Sequence, residues 1–251
     1  MHLTFKLLSW GAWSPDFQTI ESWQHWQSPN ATVSANQDAP ALSHIPAMQR
    51  RRFSRLTKMM LSAAHDCQVA PHTRSVFSSR HGELTRTLGL LKDITQQQAL
   101  SPMAFSQSVH NTASGIFGIV TNNTAASTSI AAGEQTLPQA LIETYAQLAQ
   151  DPTPILMIFG DDPVPPVYSE FIHEIELPIA FGLYLAPANS EAKSDMKREV
   201  KSSATLTLSV RPLNDQKTHN ISLSELIHHI AIAQDLQGYL CHWYWSLEHH
   251  G

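Results

Sequence analysis

The chain has almost no cysteine. Cys67 and Cys241 are the only two among 251 residues, and they form no C-x-x-C pair. A disulfide framework and a cysteine-rich zinc site are thereby excluded, and the usage fits a reducing compartment. A basic surplus is missing too: 16 Lys and Arg stand against 21 Asp and Glu, a formal net charge of −5, which excludes a general nucleic-acid binder. Long apolar runs are absent. The longest, "ILMIFG" and "IAFGLYLA", fall well short of the ~20 residues a spanning helix needs. The opening "MHLTFKLLSWGAW" lacks the continuous apolar stretch and small-residue cleavage site of a secretory signal, so a cytoplasmic chain without a membrane span is expected. There is no G-x-S-x-G, Walker loop, G-x-G-x-x-G or H-E-x-x-H, and no internal repeat or low-complexity segment. No metal or cofactor is expected.

What is present is a core. Hydrophobic residues make up 42% and charged residues 15%, a balance that folds rather than stays disordered. "LTFKLL" reads as a first strand, and "SPDFQTIESWQHWQ" as a short helix with Trp23 and Trp26 on one face. Apolar residues at 53, 56, 60, 63, 64 and 67 recur with a helical period. "SVFSS" reads as a buried strand, and "GELTRTLGLLKDI" as a helix through Leu84, Leu88, Leu91 and Ile94. "SPMAFSQSVHNTASGIFGIV" combines a loop with a small-residue helix. "PILMIFG" has the unbroken apolar character of a strand covered on both faces, and "PIAFGLYLAP" is a further strand. "NSEAKSDMKREVKSS" reads as a polar surface excursion; "ATLTLSV" alternates cleanly. "SLSELIHHIAIAQDL" opens with a capping box, Ser222 to Glu225. Strands alternating with helices indicate a layered α/β sheet.

One stretch asks for a function. "STSIAAGEQTL", residues 127–137, leads from a strand through small residues into a helix, "LPQALIETYAQLA", that tolerates Pro138 in its first turn. Enzymes often place a nucleophile at such a turn, because helix N-terminal amides stabilise negative charge. Here the apex is Ile130, between Ser129 and Ala131, and isoleucine has no such chemistry.

In "RRFSRLTKMMLSAAHD", "SRHGELTRTLGLL", "SPMAFSQSVHNTASGIFGIV" and "STSIAAGEQTLPQAL", the chain resembles the β-ketoacyl synthases, condensing enzymes of the thiolase superfamily. Asn111 and Gly115 fall at the spacing of that family's P-x-x-x-x-N-x-x-x-G segment, and Ile130 at its nucleophilic cysteine. The resemblance covers residues 1–185. It implies a thiolase-like α/β fold of half size, with residues 186–251 a divergent C-terminal extension packed on the same domain. The family's second half, which carries two catalytic histidines, has no counterpart; His219, His228, His229 and His242 stand in other contexts. The nearest likeness is to the chain-length factors of aryl polyene-type systems. That implies a non-catalytic subunit, which forms a heterodimer with a catalytic β-ketoacyl-ACP synthase and shapes its acyl tunnel.

The resemblance also assigns residues. Met103, Ala104 and Phe105 are expected at the partner's acyl pocket, and His110 and Asn111 at the dimer interface. Glu83 and Leu84 border the tunnel in the matching segment. For "SSRHGE" two readings stand evenly: the residues themselves fit a solvated helix start with Glu83 near its amides, and the resemblance implies a polar gate at the pocket end. The run Arg50, Arg51, Arg52, Arg55 and Lys58 is first a solvated face. An acidic acyl carrier protein is its implied partner if it steers one. His228 and His229 diverge by about 100° on a helix and cannot share one metal. The aromatic terminus "YLCHWYWSLEHHG" is expected to dock on the chain's own core or to join a subunit interface. Two rivals stand beside this account. One is an acyl-thioester hydrolase or acyltransferase using a Ser or His unrelated to the family site; Ser127 or Ser129 with a distant His is conceivable, but no residue in the sequence identifies its base. The other is a scaffold that never touches substrate.

Overall fold

The computed structural model describes residues 1–27, 36–172, 178–190, 203–210 and 219–250. Eight strands form one sheet: β1 (His2–Trp13), β2 (Arg74–Ser78), β3 (Ser127–Ile130), β4 (Ile155–Asp161), β5 (Ile179–Pro187), β6 (Ser203–Ser209), β7 (Leu236–Leu240) and β8 (Trp243–His250). Their spatial order is β3-β2-β4-β5-β1-β6-β8-β7, with β2 parallel to both β3 and β4 and every other pairing antiparallel. The polar excursion predicted over 189–203 lies almost wholly outside the described residues.

The middle of the sheet is covered on both faces, as the unbroken apolar run of β4 anticipates. Alternate side chains diverge along a strand. Ile155 and Met157 enter one core with Val76, Phe181 and Leu183, while Leu156 and Ile158 enter the other with Phe77. The first core is closed by α7 (Thr136–Gln150), which contributes Leu137, Ala140, Leu141 and Leu148. The second is closed by α3 (Arg55–Asp66) and α6 (Thr112–Thr121), through Leu56, Met60, Leu61, Ile116 and Phe117. Two short helices, α1 (Ile20–Trp23) and α2 (Ala47–Arg50), lie before α3. After β2 come α4 (Leu84–Thr95) and α5 (Pro102–Ser106).

A pair of glycines seats α3 on the sheet. Gly11 of β1 and Gly182 of β5 are cross-strand partners. A Cβ on Gly11 would strike the Ala63 carbonyl oxygen, and one on Gly182 would come 2.8 Å from the Cys67 sulfur. Pairing with β5 as far as Trp13 opposite Ala180 carries β1 past the predicted "LTFKLL". The first helix is shorter than "SPDFQTIESWQHWQ" predicts. Thr19 caps it with Ser22 in a reciprocal box, and it ends at the buried Trp23. Trp26 lies beyond it, its ring 5.5 Å from that of His228.

The segment after residue 186 continues the same sheet. β6 adds to β1, and β8 and β7 add to β6, with α8 (Leu223–Ile232) over one face through Leu226, Ile227 and Ile230. Thr205 and Glu248 point away from that core, which explains the alternation of "ATLTLSV". The aromatic terminus forms a hairpin instead of a tail. Its two-residue turn, Cys241 and His242, has positive φ at both positions, the geometry that matches strand twist.

Candidate functional site

The turn after β3 is a strand-to-helix elbow closed by local hydrogen bonds. The Ile130 carbonyl accepts from the Ser79 amide at 3.2 Å. The Ala132 amide donates to the Thr136 hydroxyl, which donates in turn to the Gly133 carbonyl, closing a 3-10 turn over Gly133–Gln135 ahead of α7. Ile130 is half-buried against the main core. Ser127 pairs with the Ser75 hydroxyl at 2.9 Å and Ser129 with that of Ser114 at 3.2 Å. Hydroxyl partners supply no general base. The Gln135 amide donates to the Cys241 carbonyl and accepts from the Trp243 indole, each at 3.0 Å, so the C-terminal hairpin tip closes on the elbow. Cys67 lies on the opposite side of the sheet, where burial pushes its thiol well up and leaves it unreactive.

A carboxylate cluster flanks the elbow at the ends of β2 and β4. Asp161 is 3% exposed, and its Oδ1 accepts from the Ser79 hydroxyl at 2.7 Å, the Arg80 amide at 2.9 Å and the His81 amide at 3.2 Å. Burial raises its carboxyl to about 6 against the pull of those bonds. Asp162 is likewise raised by burial to about 6; Arg55, 3.2 Å away, opposes the shift and Glu83 adds to it. In sequence the strand reads as stopping at "PILMIFG", with no role for Asp161 and Asp162. The available signal was a pair of acids at a strand's C-terminal end, where α/β sheets place polar groups.

Glu83 is 6% exposed, so the solvated helix start is overturned. Its carboxylate does not cap α4. It turns to the start of α3, accepting from the Ser54 hydroxyl at 2.6 Å and the Thr57 hydroxyl at 2.7 Å. Together with Ser54, Arg55, Leu84, Arg86 and Asp162 it lines a cavity of about 300 Å³.

The other predicted residues are spread around this cluster. Met103 and Phe105 on α5 are 41% and 63% exposed, with Ala104 half-buried between them. His110 and Asn111 do not act as a pair. The His110 Nε2–H donates to the Ser79 carbonyl at 2.7 Å, while the Asn111 carbonyl accepts the Ser114 hydroxyl in the first turn of α6. Leu91 and Ile94 of α4 are 47% and 55% exposed, contrary to the inward face that the helical period implies; of that helix only Leu90 is buried. β3 is an edge strand, and α6 beside it presents Gly115 and Ile119 outward.

The five basic residues are not one free patch. Arg50 is committed to the carbonyls of Ala41 and Leu42, and Arg55 to Asp162 and two further carbonyls. Arg51 and Arg52 are exposed and Lys58 is half-buried. His228 and His229 diverge as expected: the Nδ1–H of one donates to Trp23, that of the other to Asp235. Among the described residues no three His, Cys, Asp or Glu side chains converge in a way that would hold a metal, and no helix is long and apolar enough to cross a membrane.

This architecture has known counterparts. A chain of the Xenorhabdus doucetiae complex of the ketosynthase ApeO with its chain length factor ApeC superposes with a TM-score of 0.75. The identity is 22%, over 98% of this chain and 99% of that one. The ishigamide ketosynthase/chain length factor matches with a TM-score of 0.61 and 16% identity, over 76% of this chain and 64% of that one. A β-ketoacyl synthase from Burkholderia phymatum gives 0.54 and 12%, over 74% and 59%. At these identities the likeness carries the thiolase-like ketosynthase fold. No curated protein sequence matches. The β-ketoacyl synthase N-terminal domain, however, matches residues 23–246, most of the length, and the chain belongs to that family.

Proposed function

We propose that this chain is a chain-length factor, the non-catalytic partner of a catalytic β-ketoacyl-ACP synthase. The observation that carries the reading is a set of apolar side chains left exposed among the described residues. Leu91 and Ile94 of α4, Met103 and Phe105 of α5, Val109 and Ile119 are all exposed, and the neighbouring sheet ends in the uncovered edge of β3. Exposed apolar clusters and open strand edges mark surfaces that a partner covers. The elbow supports the same reading. With Ile130 in the position the family resemblance gives to cysteine, no thiolate can carry an acyl chain.

In this reading the partner supplies the nucleophile and histidines and performs decarboxylative condensation on carrier-bound substrates. Met103, Phe105 and the Glu83–Leu84 region form the wall that a growing acyl chain meets, with His110 and Asn111 at the interface. Forcing further carbons against a packed wall costs about 1–3 kcal/mol, enough to end elongation. Arg51 and Arg52 are the cations free to steer an acidic carrier protein. Aryl polyene-type assembly is the setting the resemblance implies.

The test is reconstitution with the catalytic ketosynthase encoded nearest this gene, with product lengths read by mass spectrometry. Phe105→Ala and Met103→Ala should lengthen the products. An unchanged distribution across both, and across Leu84→Ala, would leave only a scaffold.

A further inference from the structure

The turn at Ser79–Gly82 touches both segments that the proposed function places at the partner surface. Ser79 donates its amide to the Ile130 carbonyl at 3.2 Å, and its own carbonyl accepts the His110 imidazole at 2.7 Å. Arg80 reaches Glu134, just past the elbow, at 3.6 Å. Gly82 has φ +54, and a Cβ there would sit 3.0 Å from the His110 ring. Thr87, one helical turn further, donates to the Ser108 carbonyl at 3.2 Å. A displacement of this turn therefore moves the elbow and the 107–111 loop together.

One side chain sets where the turn lies. Asp161, at the end of β4, gathers the Ser79 hydroxyl and the Arg80 and His81 amides on a single carboxylate, and the Ser79 hydroxyl accepts the Gly82 amide at 2.8 Å. Every amide from Arg80 to Gly82 is thus held, directly or through Ser79, by Asp161. Its neighbour Asp162 points elsewhere, to Arg55. The chain of contacts runs from the doubly covered β4, through Asp161 and Ser79, to the His110 loop and the elbow.

We propose that Asp161 is a positioning residue: through the Ser79–Gly82 turn it fixes the His110 loop and the Ile130 elbow in the arrangement a partner ketosynthase docks against. The docking half of this statement rests on the proposed function; the positioning half is a property of the chain alone. An acceptor carrying full charge holds amides more strongly than the amide oxygen of asparagine.

The test compares Asp161→Asn with Asp162→Asn in the full chain. Hydrogen exchange and NMR read the amides of residues 80–82 and the His110 Nε2 proton. Asp161→Asn should speed exchange at 80–82 by about tenfold or more, as expected for losing a charge-assisted bond, and should abolish or shift the His110 signal. Asp162→Asn should do neither. Ser79→Ala, which removes only the hydroxyl link, should reproduce part of the effect if Asp161→Asn folds poorly. Unchanged exchange in both Asp161→Asn and Ser79→Ala, or equal change in Asp162→Asn, would overturn the positioning role. With a ketosynthase that binds the natural chain, the dissociation constant should rise about tenfold for Asp161→Asn; an unchanged constant despite an opened turn would overturn the docking half. If no ketosynthase binds the natural chain, the proposed function has failed, and the exchange result still decides the positioning.

Discussion

α3 and α4 are both twelve residues long and both amphipathic, yet α3 buries Leu56, Met59, Met60, Leu61 and Ala64 whereas α4 buries Leu90 alone. α3 finds its cover within the chain, wedged against Gly11 and Gly182 and packed on α6. The outward Leu91 and Ile94 of α4 find none among the described residues. A helical period says that a face wants to be dry. It does not say whose atoms will dry it, and in a subunit the answer can lie in another chain.

Changes on the α3 side should cost stability first. Leu61→Ala is expected to destabilise the isolated chain by about 2–5 kcal/mol, the range for emptying a packed aliphatic site, measured by urea denaturation. Gly11→Ala should act in the same direction, since its Cβ would meet backbone and no flexible side chain can yield. Equal losses from Leu91→Ala would dissolve the contrast.

Changes on the α4–α5 side should cost association instead. Phe105→Ala and Ile94→Asp are expected to leave the chain's own stability within about 0.5 kcal/mol, as for other exposed positions. Binding to a ketosynthase should weaken by about 1–2 kcal/mol or more if these are anchors, as read by calorimetry.

A smaller effect concerns pH. Asp161 and Asp162 have folded-state values near 6, raised by burial above the unfolded 3.8. The folded state therefore binds their protons more tightly than the unfolded chain does. Their stabilising contribution is full below about pH 4 and is lost as pH rises through about 6. His44, His65, His81 and His249, lowered by burial, pull the other way, so the readout is a difference: relative to Asp162→Asn, the natural chain should gain stability as pH falls from 7 to 5, with a slope of order 1 kcal/mol per pH unit. Equal dependence of the two urea midpoints on pH would show the cluster ionised in a different way. Least of all, Arg51→Ala with Arg52→Ala should leave stability unchanged and slow only the salt-sensitive encounter with carrier protein.

Much of this fold was legible in the sequence, and what escaped did so for physical reasons. β4 announced itself by an apolar run with no polar break, and α3 by its period. β1 was underestimated, because nothing local shows that Gly11 lies opposite Gly182. The β7–β8 hairpin was missed because Cys241 and His242 replace the Asn-Gly pair that normally signals such a turn. Ile130 stood out by its context; Met103 and Phe105, which the resemblance expects at a partner, lie exposed on α5. Glu83 was ambiguous until its partners Ser54 and Thr57, far away in sequence, came into reach. Asp161 escaped for the same reason: its importance lies in amides some 80 residues earlier.

Native mass spectrometry of this chain co-expressed with the ketosynthase encoded nearest its gene tests the central claim most directly. A one-to-one complex, lost on Ile94→Asp while the variant chain stays folded, is the predicted result. A chain that remains alone beside every ketosynthase offered, with its α4–α5 face still bare, would contradict it.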